Sequence, residues 1–494
     1  MDIINTKKLF SVIKIKEVYG NIPSEITTLA ADSRKIKEGS VFVCIRGNTV
    51  DGHDFLDSAI EKGAKVVVVE ELPGKMREDI AYVKVPNTDR ALAYLANCYY
   101  DYPSEKLRII GVTGTNGKTT ISTAINDILR GQGYKTGVTG TIVVDINGNI
   151  FPSKNTTSDV LTVQETLHKM VDEGVTDVVM EVSSHGLSLG RLWGVDFQTG
   201  IFTNLTQDHL DFHGTMENYK QAKGLLFAQM GQDIKKEKVA ILNADDKTSE
   251  YYQTITSASV ITYGIDNKAD FQAINIVYRE DKTEFDLVYP SGTQHIEMPF
   301  VGKFNVSNML SVIVALFEKG IPMERIAEGL QKIKPANGRM ERVVEDEKRF
   351  VFIDYAHTPD GVEKVLDSVK LFANPKRKVF FVIGTGGNRD KLKRPIMGKL
   401  ASERADFVIF TTDNPRFEPW EEIMEQLAGG AIDDNFECIG DREKAIFRAI
   451  ELAQEGDTVV IAGKGHETYQ IIGSKKHPFN DKEVVLRAMQ KYHL

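Results

Sequence analysis

The chain has 494 residues, 41% hydrophobic and 27% charged, and a formal net charge of −9, a soluble-globular balance with room for about three domains of roughly 150 residues each. The acidic total argues against salt-driven nucleic-acid binding but leaves room for anionic small ligands held by local glycine loops and lysines. Cys44, Cys98 and Cys438 are the three cysteines; so widely spaced, they suggest neither a disulfide framework nor a zinc ribbon, and they favour a reducing, cytoplasmic setting.

The start, "MDIINTKKLFSVIKIKEVYG", alternates charges with single apolar residues and has no unbroken apolar core, so a secretory signal is not expected. To about residue 103 the texture is α/β. Strand-like "SVFVCI" and "AKVVVVEE" alternate with helix-like "DFLDSAIEKGA" and "DRALAYLANCYYDY". Tyr102-Pro103-Ser104 breaks the pattern, since proline restricts itself and its predecessor. A second unit, 104–335, opens with "LRIIGV" and continues through "TDVVMEVSSHG", "QTGIFTNLTQDHLDFHG", "KVAILNADD" and "ASVITYGID". Each is a β-branched run ending in polar residues, as parallel strands do when functional loops sit at their carboxyl ends. "NMLSVIVALF" is too short to span a membrane and predicts a buried helix. The third unit, 336–494, alternates again through "RFVFIDYAHTPDGVEKVLDSV", "KVFFVIGTGGNRDK", "ADFVIFTTDNPR" and "DTVVIAGKGHE". The predicted class is α/β in three domains, the central one a parallel sheet with a phosphate loop and the last Rossmann-like.

That loop is "IIGVTGTNGKTT", residues 109–120. A strand ending in a glycine-rich turn offers successive N–H groups to an anion, and the helix that follows adds its positive end. Lys118 would reach terminal phosphates and the Thr119 hydroxyl would help hold Mg²⁺. The glycines stand at 111, 114 and 117, with Val112 where the common pattern has its first glycine. "DFHG" (211–214) and "NKAD" (267–270) match fragments of a nucleotide-switch pattern, but Asp211 sits beyond its strand in a His- and Asp-rich loop. "GTGGNRD" (384–390) begins like a dinucleotide fingerprint, yet Arg389 holds the third glycine's place and suits a ligand carboxylate or phosphate better.

"EVSSHG" places Glu181, Ser183 and His185 at a strand's carboxyl end, and "NLTQDHLDFHG" contributes Asp208, His209, Asp211 and His213. Zinc lacks an HExxH glutamate and a nearby cysteine. Mg²⁺ shared by Thr119, Glu181, His209 and nucleotide oxygens is more economical, while each histidine alone serves equally as a structural residue. Lys223, in "YKQAKGLLF", reads as a surface lysine on an amphipathic helix. In "DNPRFE", Asp413 and Asn414 suit a turn, Pro415 stiffens it, and Arg416 projects as a bidentate carboxylate clamp or a solvated arginine.

Taken in order, "DSR" (32–34), "GVTGTNGKTT", "NTT" (155–157), "EVSSHGL", "FTNLTQDHLDFHGTMENY", "GKFNVSN", "NGRME", "DYAHTPD", "GGNRDKLKRP", "DNPR" and "GKGHETYQ" (463–470) resemble the Mur ligase family over nearly the full chain. These are ATP-dependent peptide-bond formers of peptidoglycan precursor synthesis. The resemblance implies a UDP-binding first domain (1–103) with Ser33 on the nucleotide. It implies ATP held by Thr113, Gly114, Thr115, Asn116, Gly117, Lys118 and Thr119, with Asn305, Arg339 and His357. Asn155, Thr156, Thr157, Ser183 and Arg191 match positions that hold a UDP-muramoyl dipeptide, and Thr119, Glu181 and His209 match Mg²⁺ ligands. Lys118, Lys223, Glu181 and His209 are its catalytic candidates, Lys223 matching a lysine carboxylated on its side chain.

The resemblance points to the branch that adds a third residue to UDP-N-acetylmuramoyl-L-alanyl-D-glutamate. "DNPR" fits meso-diaminopimelate, whose extra carboxylate needs a cation; L-lysine adders lack the arginine. Arg389, Asp413, Asn414, Pro415, Arg416, Gly463 and Glu467 would form that pocket, although "FEPW" follows where Glu-Asp/Glu-Pro is expected. The expected partners are these small molecules, with no nucleic acid or membrane, and the expected state a monomer. Alternatives are the same reaction with L-lysine, a folylpolyglutamate synthetase-like ligase, and a nucleotide-hydrolysing switch.

Overall fold

A computed structural model describes residues 4–47, 50–153, 155–231, 236–279, 281–343, 350–373 and 376–492. The chain packs as two compact units, one of residues 1–111, 133–198 and 232–238, the other of 112–132, 199–231 and 239–494.

In the first unit a sheet runs in the order Glu17–Tyr19, Ala81–Lys84, Ala64–Val69, Ser40–Val43, Leu29–Ala30. Its pairings are parallel except at the Glu17–Tyr19 edge. Val41, Val43, Val66 and Val68 turn to one apolar layer and Phe42, Val67 and Val69 to the other, the period-2 geometry of a strand buried on both faces. The helix Thr88–Tyr99 packs on the first layer through Leu92, Leu95 and Ala96. Its first turn is capped by the Asn87 side chain, which accepts from the Arg90 N–H at 2.7 Å. The expected break after it is built from Asp101 and Tyr102, both left-handed (φ 57° and 51°), and from Pro103 opening a 3₁₀ turn. Further along, Asp177–Glu181 pairs parallel with Thr136–Thr139, which continues into an antiparallel hairpin, Val143–Ile146 and Asn149–Pro152.

In the second unit Thr199–Phe202, Val239–Asn243, Ser259–Gly264 and Phe271–Tyr278 pair in parallel. The predicted helix of "NMLSVIVALF" lies within Lys303–Glu318 and is buried from Met309 to Leu316. The apolar runs of this region predict parallel strands only. The structure adds Thr283–Tyr289 and Gly292–Met298 in antiparallel register. Their alternation of buried and exposed positions belongs to a sheet covered on one face, a weaker pattern than the apolar runs of parallel strands.

The C-terminal sheet has the order Glu341–Arg342, Phe350–Asp354, Thr458–Ala462, Val379–Thr385, Phe407–Thr412, Phe436–Cys438. All but the first pairing are parallel. Phe352, Phe381, Phe410 and Val460 face helices Pro359–Phe372, Lys393–Arg404 and Trp420–Ala428. Val351, Val382, Ile409 and Ile461 face Arg442–Leu452 and Asp481–Lys491. This is the doubly wound, Rossmann-like arrangement expected. It gathers the turns after Asp354, Thr385, Thr412 and Ala462 along one edge, where such sheets place their ligands.

Candidate active site

The phosphate loop joins the strand Arg108–Thr113 to the helix Lys118–Gly131. Its glycines are required by geometry. A Cβ on Gly114 (φ +150°) would lie 1.8 Å from Thr203 Oγ1, and one on Gly117 (φ +91°) 2.4 Å from Asn308 Oδ1. The Thr115 N–H donates to the Asn204 carbonyl (2.8 Å) and the Asn116 N–H to Asn204 Oδ1 (3.0 Å), which fixes the loop's arc. No side chain caps the helix that follows, so the Thr119 and Thr120 N–H groups remain for an anion. Lys118 Nζ spans the loop, donating to the carbonyls of Gly114 (2.8 Å) and Thr115 (2.9 Å). Asn116 Nδ2 reaches Asp360 Oδ2 at 2.7 Å, tying the loop to the helix Pro359–Phe372.

Lys223 overturns its reading as a surface residue. It is 1% exposed, its Nζ donates to the Gly114 carbonyl at 2.8 Å, and it lies 4.6 Å from the Tyr219 ring centroid. Burial and the neighbouring Lys118 charge push its pKa well below that of an ordinary lysine, against the pull of Asp208. The helix Met216–Gln229 buries Tyr219, Ala222, Lys223, Leu226 and Phe227; position 223 belongs to the apolar stripe that the pattern assigned to its neighbours.

Burial would raise the Asp208 carboxyl, yet His209, His357 and Lys393 around it hold it below the usual carboxylate range. His209 is left-handed (φ 54°), with Nε2 3.4 Å from Asp208 Oδ2. His213, one turn on, is buried with its ring 5.0 Å from that of Tyr219, whereas the His209 ring, 6.1 Å from the same tyrosine, is nearly half exposed. His357 Nδ1–H donates to the Tyr355 carbonyl at 2.8 Å, and burial followed by the Lys393 charge lowers its pKa. Asn305 is buried and donates to the Val301 carbonyl. The Arg339 guanidinium stacks on Tyr355 at 4.6 Å, its Nε buried without a hydrogen-bond partner.

The first unit holds the other predicted set. Glu181, 2% exposed, accepts from Thr141 Oγ1 at 2.7 Å; Thr141 then accepts from Thr156 Oγ1 at 3.0 Å. A Cβ on Gly140 would sit 2.4 Å from Glu181 Oε1, so only glycine admits this carboxylate. Thr157 Oγ1 accepts from the Ser183 N–H (3.0 Å), and Arg191 Nη1 donates to the Thr157 carbonyl (2.9 Å). Thr156, Thr157, Glu181 and the exposed Asn155 line a cavity of about 20 Å³. Ser33 lies apart from these in sequence, opening a 3₁₀ turn capped by Asp32, with Lys62 Nζ on its carbonyl at 3.2 Å.

Along the C-terminal sheet edge, the Asp413–Arg416 turn meets the Gly463–Glu467 loop. Lys464, 0% exposed and missed in the sequence, joins them: its Nζ contacts Glu467 Oε2 (2.8 Å), Asn414 Oδ1 (3.3 Å) and Asp413 Oδ1 (3.5 Å). Burial pushes the Asp413 carboxyl up to about 6, with Lys464 opposing and Glu467 reinforcing it. Arg416 adopts φ 54°, a left-handed conformation uncommon for a long side chain. Its N–H donates to the Ile471 carbonyl (3.0 Å), and its Nη1 donates to the Gly387 carbonyl (2.9 Å). Gly387 is wedged against this turn, a Cβ there falling 1.9 Å from the Pro415 carbonyl oxygen. Arg389 is exposed. Glu418, in the unexpected "FEPW", is buried and accepts from Arg394 Nη1 (2.7 Å) and Nη2 (2.9 Å), from Lys391 (2.8 Å) and from the Asn388 N–H (2.9 Å).

Among the described residues no group of three or more His, Cys, Asp or Glu side chains converges to cage a metal, and no helix is long and apolar enough to cross a membrane. The Thr119 hydroxyl and Asp208 carboxylate in the second unit, and separately the Glu181 carboxylate in the first, are hard oxygen donors of the kind Mg²⁺ takes alongside water and phosphate oxygens.

Three family models match the chain: "Mur ligase family, catalytic domain" over residues 25–100, "Mur ligase middle domain" over 112–316, and "Mur ligase, glutamate ligase domain" over 338–465. The chain is 47% identical over 487 residues to the UDP-N-acetylmuramoyl-L-alanyl-D-glutamate–2,6-diaminopimelate ligase of Bacillus cereus, covering 98% of each. It is 45% identical over 489 residues to the corresponding L-lysine ligase of Staphylococcus haemolyticus, covering 99% of this chain and 98% of that one. A solved structure of a UDP-N-acetylmuramoyl-L-alanyl-D-glutamate–2,6-diaminopimelate ligase superposes with a TM-score of 0.72 at 33% identity, over 99% of each chain.

Proposed function

Since the chain belongs to the Mur ligase family, we propose that it joins meso-diaminopimelate to the D-glutamate of UDP-N-acetylmuramoyl-L-alanyl-D-glutamate, at the expense of ATP. The observation that carries the choice of amino acid is the C-terminal edge. A left-handed Arg416 stands beside a buried cluster of Asp413, Asn414 and Lys464, with the partly buried Glu467 on Lys464. A guanidinium set next to carboxylates suits a substrate that ends in both a carboxylate and an ammonium. Arg389, exposed on the adjoining loop, adds a second cation, and Glu467 and the backbone at Gly463 receive the ammonium.

A carboxylate oxygen is a poor leaving group, so the acyl partner must be activated first. ATP enters the loop 113–119, with its phosphates on the Thr119 and Thr120 N–H groups. Lys118 leaves the carbonyls of Gly114 and Thr115 for the terminal phosphates. The γ-phosphoryl passes to the γ-carboxylate of D-glutamate, giving an acyl phosphate and ADP. The diaminopimelate amine attacks the acyl carbon, the tetrahedral intermediate collapses, and phosphate leaves. Mg²⁺, held by Thr119, Glu181 and His209, would neutralise charge on the transferring group. Asn155, Thr156, Thr157, Ser183 and Arg191 hold the dipeptide, and Ser33 in the first 103 residues holds the uridine nucleotide. Asn305, Arg339 and His357 complete the ATP site.

Lys223 takes up CO₂ as a carbamate. A neutral amine is the nucleophile this needs, and its depressed pKa supplies one. The N–C bond forms, one amine proton passes to water, and a neutral neighbour of Lys118 becomes an anion that would help hold a second Mg²⁺.

The assay supplies ATP, the UDP-muramoyl dipeptide and either diaminopimelate or L-lysine, and follows phosphate release. Release with diaminopimelate alone supports the reading; release with no amino acid returns it to a switch or simple ATPase. The Staphylococcus relative keeps L-lysine as the second reading, and equal use of both amino acids would refute the role given to Arg416. Arg416→Ala should weaken diaminopimelate use while leaving ATP and nucleotide-sugar binding near normal.

A further inference from the structure

The proposed chemistry makes no use of the ion pair between Arg442 and Asp481. Both side chains are 0% exposed. Arg442 Nε and Nη2 grip the two Asp481 oxygens at 2.8 and 2.7 Å, and the two residues open the helices Arg442–Leu452 and Asp481–Lys491. The guanidinium also donates through Nη1 to the Thr412 carbonyl (3.3 Å) and through Nη2 to the Ala462 carbonyl (2.9 Å). Those are the last residues of two strands that are not neighbours, because Val379–Thr385 runs between them. One planar side chain therefore spans the carboxyl ends of three strands. The next residue along each gripped strand, Asp413 and Gly463, begins an amino-acid loop.

Lys464 joins the same two loops through their side chains. Arg442 joins them through their backbone, and so governs where both loops start. Stability does not account for an ion pair here, since a buried pair can be replaced by apolar residues of similar volume at little or no cost. An apolar pair cannot hold two carbonyls at a set separation; a guanidinium fork can.

We propose that Arg442, oriented by Asp481, is a positioning residue that sets the spacing between the Asp413–Arg416 turn and the Gly463–Glu467 loop, and thereby the fit of the amino-acid substrate. The inference rests on the assignment of those loops to diaminopimelate. The test is the double variant Arg442→Met/Asp481→Leu, followed by thermal melting and by steady-state kinetics on all three substrates. The expected result is a melting temperature near that of the wild type, with kcat/KM for diaminopimelate lowered at least about tenfold and KM for ATP and for the nucleotide sugar within about twofold. Should the double variant not fold, Arg442→Lys carries the same expectation, because it keeps a charge against Asp481 but has no fork to span two carbonyls. A folded variant with unchanged diaminopimelate kinetics, or with all three KM values raised together, overturns the inference. A wild-type enzyme that couples no diaminopimelate overturns the assignment of the loops, and the inference with it.

Discussion

Replacing Glu418 by alanine tests how the two arginine-bearing loops are held together. Glu418 has a side-chain exposure of 4% and Arg394 one of 0%. The carboxylate accepts from two Arg394 nitrogens, from Lys391 and from the Asn388 N–H. Alanine removes every one of these acceptors. Arg394 keeps Gln426 Oε1 at 2.8 Å and the Gly386 carbonyl at 3.0 Å, but no counter-charge. An orphaned buried charge of this kind costs about 3–5 kcal/mol. At about 2–4 °C per kcal/mol for a cooperative unit of roughly 150–250 residues, the melting temperature falls by roughly 6–20 °C. Glu418→Gln, which keeps the shape and one acceptor oxygen, loses less, and Arg394→Met/Glu418→Leu recovers most of the loss. Hydrogen bonds from Arg394 hold the Glu418 carboxyl well below the usual carboxylate range. A depressed native pKa gives stability that is complete above the unfolded carboxylate value and is lost as pH falls through the native one. The difference between wild type and Glu418→Ala therefore persists down to about pH 5. Calorimetric melting at pH 7 and pH 5 reads both effects; a fall of under about 2 °C at pH 7 would refute the reasoning.

Gly114→Ala should keep the overall fold by circular dichroism yet lose at least about 100-fold in ATP-dependent coupling, because its Cβ has no room beside Thr203 Oγ1. Near-normal coupling would mean that the loop can shift freely. With Asp413 pushed up to about 6, its carboxylate prevails above that pH and is neutralised below it. KM for diaminopimelate should therefore rise about tenfold between pH 7 and pH 5, and Asp413→Asn should abolish the trend. Lys223→Met should melt at or above the wild-type temperature, since it removes a buried amine, while losing activity. ¹³C NMR under ¹³CO₂ should show a carbamate resonance in the wild type that the variant lacks.

The four inner strands of the C-terminal sheet were legible because each is buried on both faces and reads as a largely apolar run, as "VFFVIGT" and "TVVIA" do. The phosphate loop was legible because its glycines and Lys118 are adjacent in sequence. Lys223, Lys464, Arg394 and Arg442 were not, for a shared reason: a charged side chain is expected outside, and only distant chain segments reveal that it is enclosed. Lys223 needs the Gly114 carbonyl, 109 residues away, and Arg442 needs Asp481, 39 residues away. Glu418 looked like a departure from pattern until Arg394 was seen against it. The antiparallel strands escaped notice because solvent faces interrupt their apolar pattern: Thr283–Tyr289 buries only alternate residues, and Asn149–Pro152 is exposed throughout.

The contact of Gly387 with the Pro415 carbonyl, reinforced by the Arg416 bond to the Gly387 carbonyl, has a practical consequence for re-engineering. The two segments interlock through their main chains, so neither can be transplanted alone. Grafting only residues 413–416 from an L-lysine-using relative would leave the recipient's glycine turn shaped for a vanished neighbour. A successful exchange of amino-acid preference requires moving residues 384–394 and 413–418 together, as one cassette.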